Sequence, residues 1–235
     1  MKFIKIVLLT FLFVWQHQLV HAQSQGDPRL WLHYFNKAKF NDKWSLSTDG
    51  AYLHMFDLTA NRLQVRSGLT YKINNNFSVR AGLGYFYVFD PEGENISEIR
   101  PMQDFIGKHN LTKDKSFFVK YRFRLEQQIM DIFYEGQNEK DYLNRLRYSI
   151  IFRKKFAEKW MAGIGTELFF VLRDKSNDPF TNKNRFIMLI NRQVSEKVSL
   201  EAQYIREDSF KHQQGSVRYS NILRLAVRHS IDFEK

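Results

Sequence analysis

The residues best equipped to do chemistry are arginines and carboxylates spaced two apart. Arg122, Arg124 and Glu126 form one such run, and Arg145 with Arg147 forms another. Arg66, Arg100 and Arg224 sit in similar alternation, with Glu167 and Glu201 as further carboxylates. Spacing by two puts all members of a run on one face of an extended strand. Two glutamates on such a face suggest general acid–base work, but a neighbouring guanidinium keeps a carboxylate ionised, which suits an ion pair better than a proton donor. Asp208, Ser209 and His212 contain the residue types of a hydrolase triad. Triads are defined by geometry rather than by proximity in sequence, and no G-x-S-x-G accompanies them. Histidines at 33, 54, 109, 212 and 229 show no paired metal-ligand spacing. Neither a metal nor a cofactor is expected.

The elements that must carry these residues are strands. In residues 62–73, Leu63, Val65, Leu69, Tyr71 and Ile73 alternate with Arg62, Gln64, Arg66, Thr70 and Lys72. That is a strand with one apolar and one wet face. Further strands are expected at 44–54, 77–89, 97–109, 116–130, 142–154, 159–173, 184–194, 198–207 and 219–231, with a shorter candidate at 30–36. Their connections alternate. Those at 73–77, 111–116, 154–159 and 194–197 are short, whereas 90–97, 131–141, 174–183 and 208–218 are longer and polar. Tyr71, Phe77, Phe117, Phe152, Phe156 and Trp160 gather beside the short turns. Short turns on one side, longer loops on the other and an aromatic girdle are the pattern of an outer-membrane barrel. A secreted soluble barrel explains the alternation but not the loop asymmetry.

Composition agrees. The 235 residues are 43% hydrophobic, 26% charged and 16% aromatic, and include no cysteine. Thiolate metal sites, disulfides and a catalytic cysteine are therefore excluded. The mean hydropathy of −0.46 argues against a bundle of membrane helices. Residues 1–22, with Lys2 and Lys5 before an apolar run and Val20-His21-Ala22 at its end, read as a cleaved signal peptide. Cleavage would lower the net charge only from +11 to +9. Residues 23–235 then form one domain. The basic residues alternate along strands instead of clustering on a helix, so nucleic acid is not an expected partner.

Arg66-Ser-Gly-Leu-Thr-Tyr71, Gly82-Leu-Gly-Tyr85, Glu98-Ile-Arg-Pro-Met-Gln103, Arg122-Phe-Arg-Leu-Glu126 and Asn144-Arg-Leu-Arg-Tyr148, together with Trp31 and Trp44, resemble DUF2490, a family of uncharacterised bacterial outer-membrane β-barrel proteins. The resemblance implies the barrel and its location, and no activity or ligand.

The expected fold is thus all-β, an antiparallel transmembrane β-barrel of 10–12 strands with short periplasmic turns and longer external loops. Ten strands put both ends of the barrel chain on one side. An eleventh, at 30–36, would break the even count usual for such barrels. With apolar faces toward outer-membrane lipid, the charge network Arg66, Arg100, Arg122, Arg124, Glu126, Arg145, Arg147, Glu167, Glu201 and Arg224 points into the lumen. Gln103, Gln128 and Gln203 are placed there as hydrogen-bonding partners. The expected role is non-enzymatic: structural, or passage of a small anionic solute. The alternatives are a lipid hydrolase at the rim and a secreted ligand-binding barrel. Oligomeric state is left open.

Overall fold

The computed structural model describes residues 27–56, 60–91, 93–173, 181–210 and 217–233. The expected leader, His212 and most of loop 174–183 lie outside them. The strands are β1 (Asp27–Lys39), β2 (Trp44–Met55), β3 (Asn61–Lys72), β4 (Phe77–Phe89), β5 (Asn95–Asn110) and β6 (Phe117–Tyr134), followed by β7 (Gln137–Ala157), β8 (Trp160–Arg173), β9 (Thr181–Gln193), β10 (Val198–Phe210) and β11 (Val217–Asp232). Sequential neighbours pair antiparallel, and β1 closes the barrel against β11. Closure leaves no sheet edge with unpaired amides, the condition for a sheet to sit in hydrocarbon.

The eleventh strand is real and long. Residues 30–36 are the middle of β1, which pairs in parallel with β11 from Asp27↔Ser220 to Lys39↔Asp232. An odd number of hairpin-linked strands makes the first and last run the same way, so the seam must be parallel. The even-count argument fails here, and antiparallel pairing is broken at this one seam.

Alternation sorts the surface. Leu63 (48% exposed), Val65 (63%) and Leu83 (55%) face outward, while Gln64, Phe86, Arg124 and Glu126 are buried inside. Aromatic contacts ring the short-turn end: Trp44–Tyr71 at 4.8 Å, Phe77–Phe105 at 5.5 Å and Phe117–Phe152 at 6.3 Å between centroids. Gly107 belongs to this girdle. The Tyr121 ring crosses it so closely that a Cβ would lie 2.2 Å from the ring carbon Cζ. In the nearby turn at 111–116, hydrogen bonds from Thr112 and then Ser116 hold the exposed Asp114 carboxyl down at about 2.

Residues 131–141, expected as a loop, are the end of a hairpin instead. β6 and β7 run on to Tyr134↔Gln137. Glu135 (φ 48°) and Gly136 (φ 79°) make the turn. Two consecutive left-handed residues are what a two-residue hairpin of matching twist requires. Polar composition marked exposure here, not absence of pairing. An epitope tag inserted at Glu135-Gly136 should be stained on intact cells, whereas one at 74–76 should be stained only after the envelope is opened. Equal staining at both sites would contradict this orientation.

Candidate functional site

Inward-facing positions of β4 to β10 assemble an ionic ladder around part of the lumen. Asp104 accepts from Arg80 at 2.6 Å and from Arg124 Nε at 2.6 Å. Arg124 also lies 3.5 Å from Glu126. Glu126, fully buried, is surrounded further by Arg145 (2.6 Å), Arg147 (2.7 Å) and Arg100 (3.6 Å). Arg147 continues to Glu167 at 2.8 Å, which also takes Arg122 at 2.6 Å and Arg185 at 3.2 Å. Arg185 then reaches Glu207 at 2.6 Å. Asp104, Glu126 and Glu167 thus each meet more than one guanidinium fork, the arrangement that lets a buried charge persist.

Aromatic rings complete a septum. The Arg100 guanidinium lies 3.9 Å above Phe86, Arg147 and Arg185 lie 4.6 and 4.8 Å from Phe169, and Arg185 lies 5.8 Å from Trp31. Trp31 belongs to an apolar cluster with Leu53, Ile187, Ile205 and Ile222. Rings both screen these cations from the apolar filling and attract them through the π face. On the short-turn side of this septum lies a cavity of about 600 Å³, whose wall reaches from Trp31, Arg147 and Arg185 down to Glu196 and Lys197 of the turn at 194–197.

Of the residues predicted for the lumen, Arg100, Arg122, Arg124, Glu126, Arg145, Arg147 and Glu167 join one connected network. Three stand apart from it. Arg66 pairs with Asp49 at 2.8 Å, Arg224 donates to Gln203, and Glu201 accepts from Arg228 at 2.7 Å. Gln128 and Gln203 are inside, donating to Glu98 and Glu201 at 2.8 and 2.6 Å. Gln103 is not: it faces outward and exchanges hydrogen bonds with Gln127 at 3.3 Å. Its parity is opposite to that of Glu98, Arg100 and Asp104, so one strand cannot turn all four inward.

Sequence reasoning passed over Asp49, Arg185 and Glu207, as well as His33, whose Nε2 lies 2.9 Å from Asp49 Oδ1. Asp49 shares its face of β2 with Ala51 and Leu53, so the alternation there does not mark that face as the wet one. Arg185 and Glu207 lie near strand ends, where polar residues look like loop. Asp208 accepts from Arg206 at 3.1 Å. No cluster able to hold a metal occurs among the described residues.

A solved porin, NanC, aligns with 82% of this chain and 89% of its own at a TM-score of 0.51 and 14% identity, which shows a shared barrel fold. A Pseudomonas aeruginosa FadL homologue aligns with 80% of this chain and 73% of its own at a TM-score of 0.41 and 9% identity. No curated protein matches. A family model, described as a protein of unknown function (DUF2490), matches residues 29–218, most of an outer-membrane barrel with an ionic lumen, and the chain belongs to that family.

Proposed function

We propose that the barrel admits small anionic solutes to its lumen, and that it reaches the outer membrane after removal of a signal peptide over residues 1–22. The observation that carries the reading is the wall of the 600 Å³ cavity, where Arg66, Arg80, Arg122, Arg124, Arg147 and Arg224 outnumber the carboxylates Asp49, Glu167 and Glu196. Of these, Asp49 and Glu167 are already engaged by arginine. An anion entering meets surplus N–H donors, while a cation meets unopposed positive charge; charged linings select ions in this way. Barrels of about eight strands are filled by their side chains, and about sixteen leave an open channel. Eleven strands lie between these limits, so the septum side chains govern passage. The reading contains no catalytic step, since Glu126 and Glu167 are held by several guanidinium groups and have no free role as acids.

Planar bilayers containing the purified protein test it. Discrete conductance steps in potassium chloride should shrink when chloride is replaced by gluconate and persist when potassium is replaced by N-methylglucamine. The opposite ion dependence, or an electrically silent barrel, would overturn the reading.

A further inference from the structure

The mouth of the lumen contains a second group of charges that the septum does not use. Lys120, three residues into β6, borders both the large cavity and a neighbouring one of about 370 Å³. Lys37 of β1 borders both cavities as well, Arg153 of β7 and Arg228 of β11 line the larger, and Lys108 of β5 lines the smaller. Lys120 has no ion pair among the described residues. Glu196 lines the larger cavity and Asp42 the smaller, and the carboxylate paired with these cations is Glu201, whose Oε1 already accepts from Arg228 at 2.7 Å and Gln203 at 2.6 Å. Its Oε2, 3.8 Å from Arg153, accepts no hydrogen bond from the described residues. The Nε atoms of Arg153 and Arg228 are buried and donate to none of them. Rings fix two of the cations in place: Arg228 lies 4.1 Å from the Phe35 centroid and Lys108 4.6 Å from that of Phe118.

We propose that this ring of Lys37, Lys108, Lys120, Arg153 and Arg228 is a binding site for a compact phosphate-bearing anion of at least two charges, entering from the short-turn mouth. The proposal rests on the anionic reading of the lumen and names its substrate class. Five cations are set against Glu201 and, on the cavity walls, Glu196 and Asp42, so positive charge remains in excess and a monovalent ion would satisfy only part of it. Ammonium groups converging from separate strands suit the several oxygens of a phosphate as point charges, while the guanidinium edges offer directed donors.

Inorganic pyrophosphate is the probe, titrated by calorimetry into the full barrel in neutral detergent at low ionic strength. One equivalent should bind. Lys120→Gln and Arg153→Gln should each weaken binding by about tenfold or more, while Lys140→Gln on the exposed hairpin should not change it. Heat-modifiable migration checks folding. Lys120→Gln removes a charge without a partner and should melt no lower than the parent when pyrophosphate is absent. Absence of binding by the parent, or equal binding by both mouth variants, overturns the proposal. So does anionic lipid retained by the parent and lost from Lys120→Gln without any pyrophosphate binding, which would give the site to a headgroup instead. Anion conductance without pyrophosphate binding removes this site and leaves the proposed function standing; binding without conductance does the reverse.

Discussion

Glu126→Gln should lower the stability of the folded barrel by about 3–5 kcal/mol, the usual result of breaking a buried ion pair from one side. The carboxylate is fully buried among Arg100, Arg124, Arg145 and Arg147. The amide keeps the shape and one acceptor, but leaves four guanidinium groups around a neutral side chain. Septum arginines held apart by one central anion then repel each other at short range, where screening by water is weak. Urea titration in lipid vesicles reads the loss as a lower midpoint. Asp208→Asn is the control. Its pair with Arg206 is partly exposed, and such pairs contribute about 0–1 kcal/mol. A midpoint for Glu126→Gln within error of that control would mean that the lumen is wet at this depth.

The second large effect lies on the opposite face. Leu69, Leu83 and Leu225 are 42%, 55% and 42% exposed on the barrel exterior, and Leu125 shares their parity. At midplane depth an arginine there should cost about 2–4 kcal/mol, because its charge meets hydrocarbon. Leu225→Arg should therefore sharply reduce folding yield in vesicles. The preceding residue, Arg224, donates to Gln203 and lies 5.3 Å from the Trp31 ring, so Arg224→Gln should be milder. Tolerated arginines at all four leucine positions would mean that this exterior does not meet lipid.

Strand interiors were legible because inside and outside differ so sharply in polarity here. The expected strand at 77–89 matches β4, and 159–173 differs from β8 by one residue. Strand ends were less legible. Past the membrane belt both faces meet water, the alternation fades, and paired residues such as Asp131↔Lys140 resemble a loop. β1 was read as too short for a related reason. Between Arg29 and Lys37 its lumenal residues are Trp31, His33 and Phe35, so its two faces contrast weakly over that stretch. The parallel seam follows from strand number, which no local pattern reveals.

Within the site, parity identified the arginines and glutamates of β5 to β8 but not how they connect. Glu126 became the centre because registers 126↔145 and 124↔147 bring β6 and β7 together at that level. Which carboxylate collects the most arginines is a property of three strands at once. The apolar share of the filling was hidden as well. Leu53, Ile187, Ile205 and Ile222 share parity with charged neighbours on their strands, and only closure gathers them around Trp31.

The central claim is a lumen that favours anions, and its most direct measurement is the zero-current potential across a bilayer separating two potassium chloride concentrations. The account predicts a potential of the sign set by chloride, moving toward zero in Arg66→Gln with Arg224→Gln as these lining charges are removed. A potential of the sign set by potassium in the parent protein would contradict it.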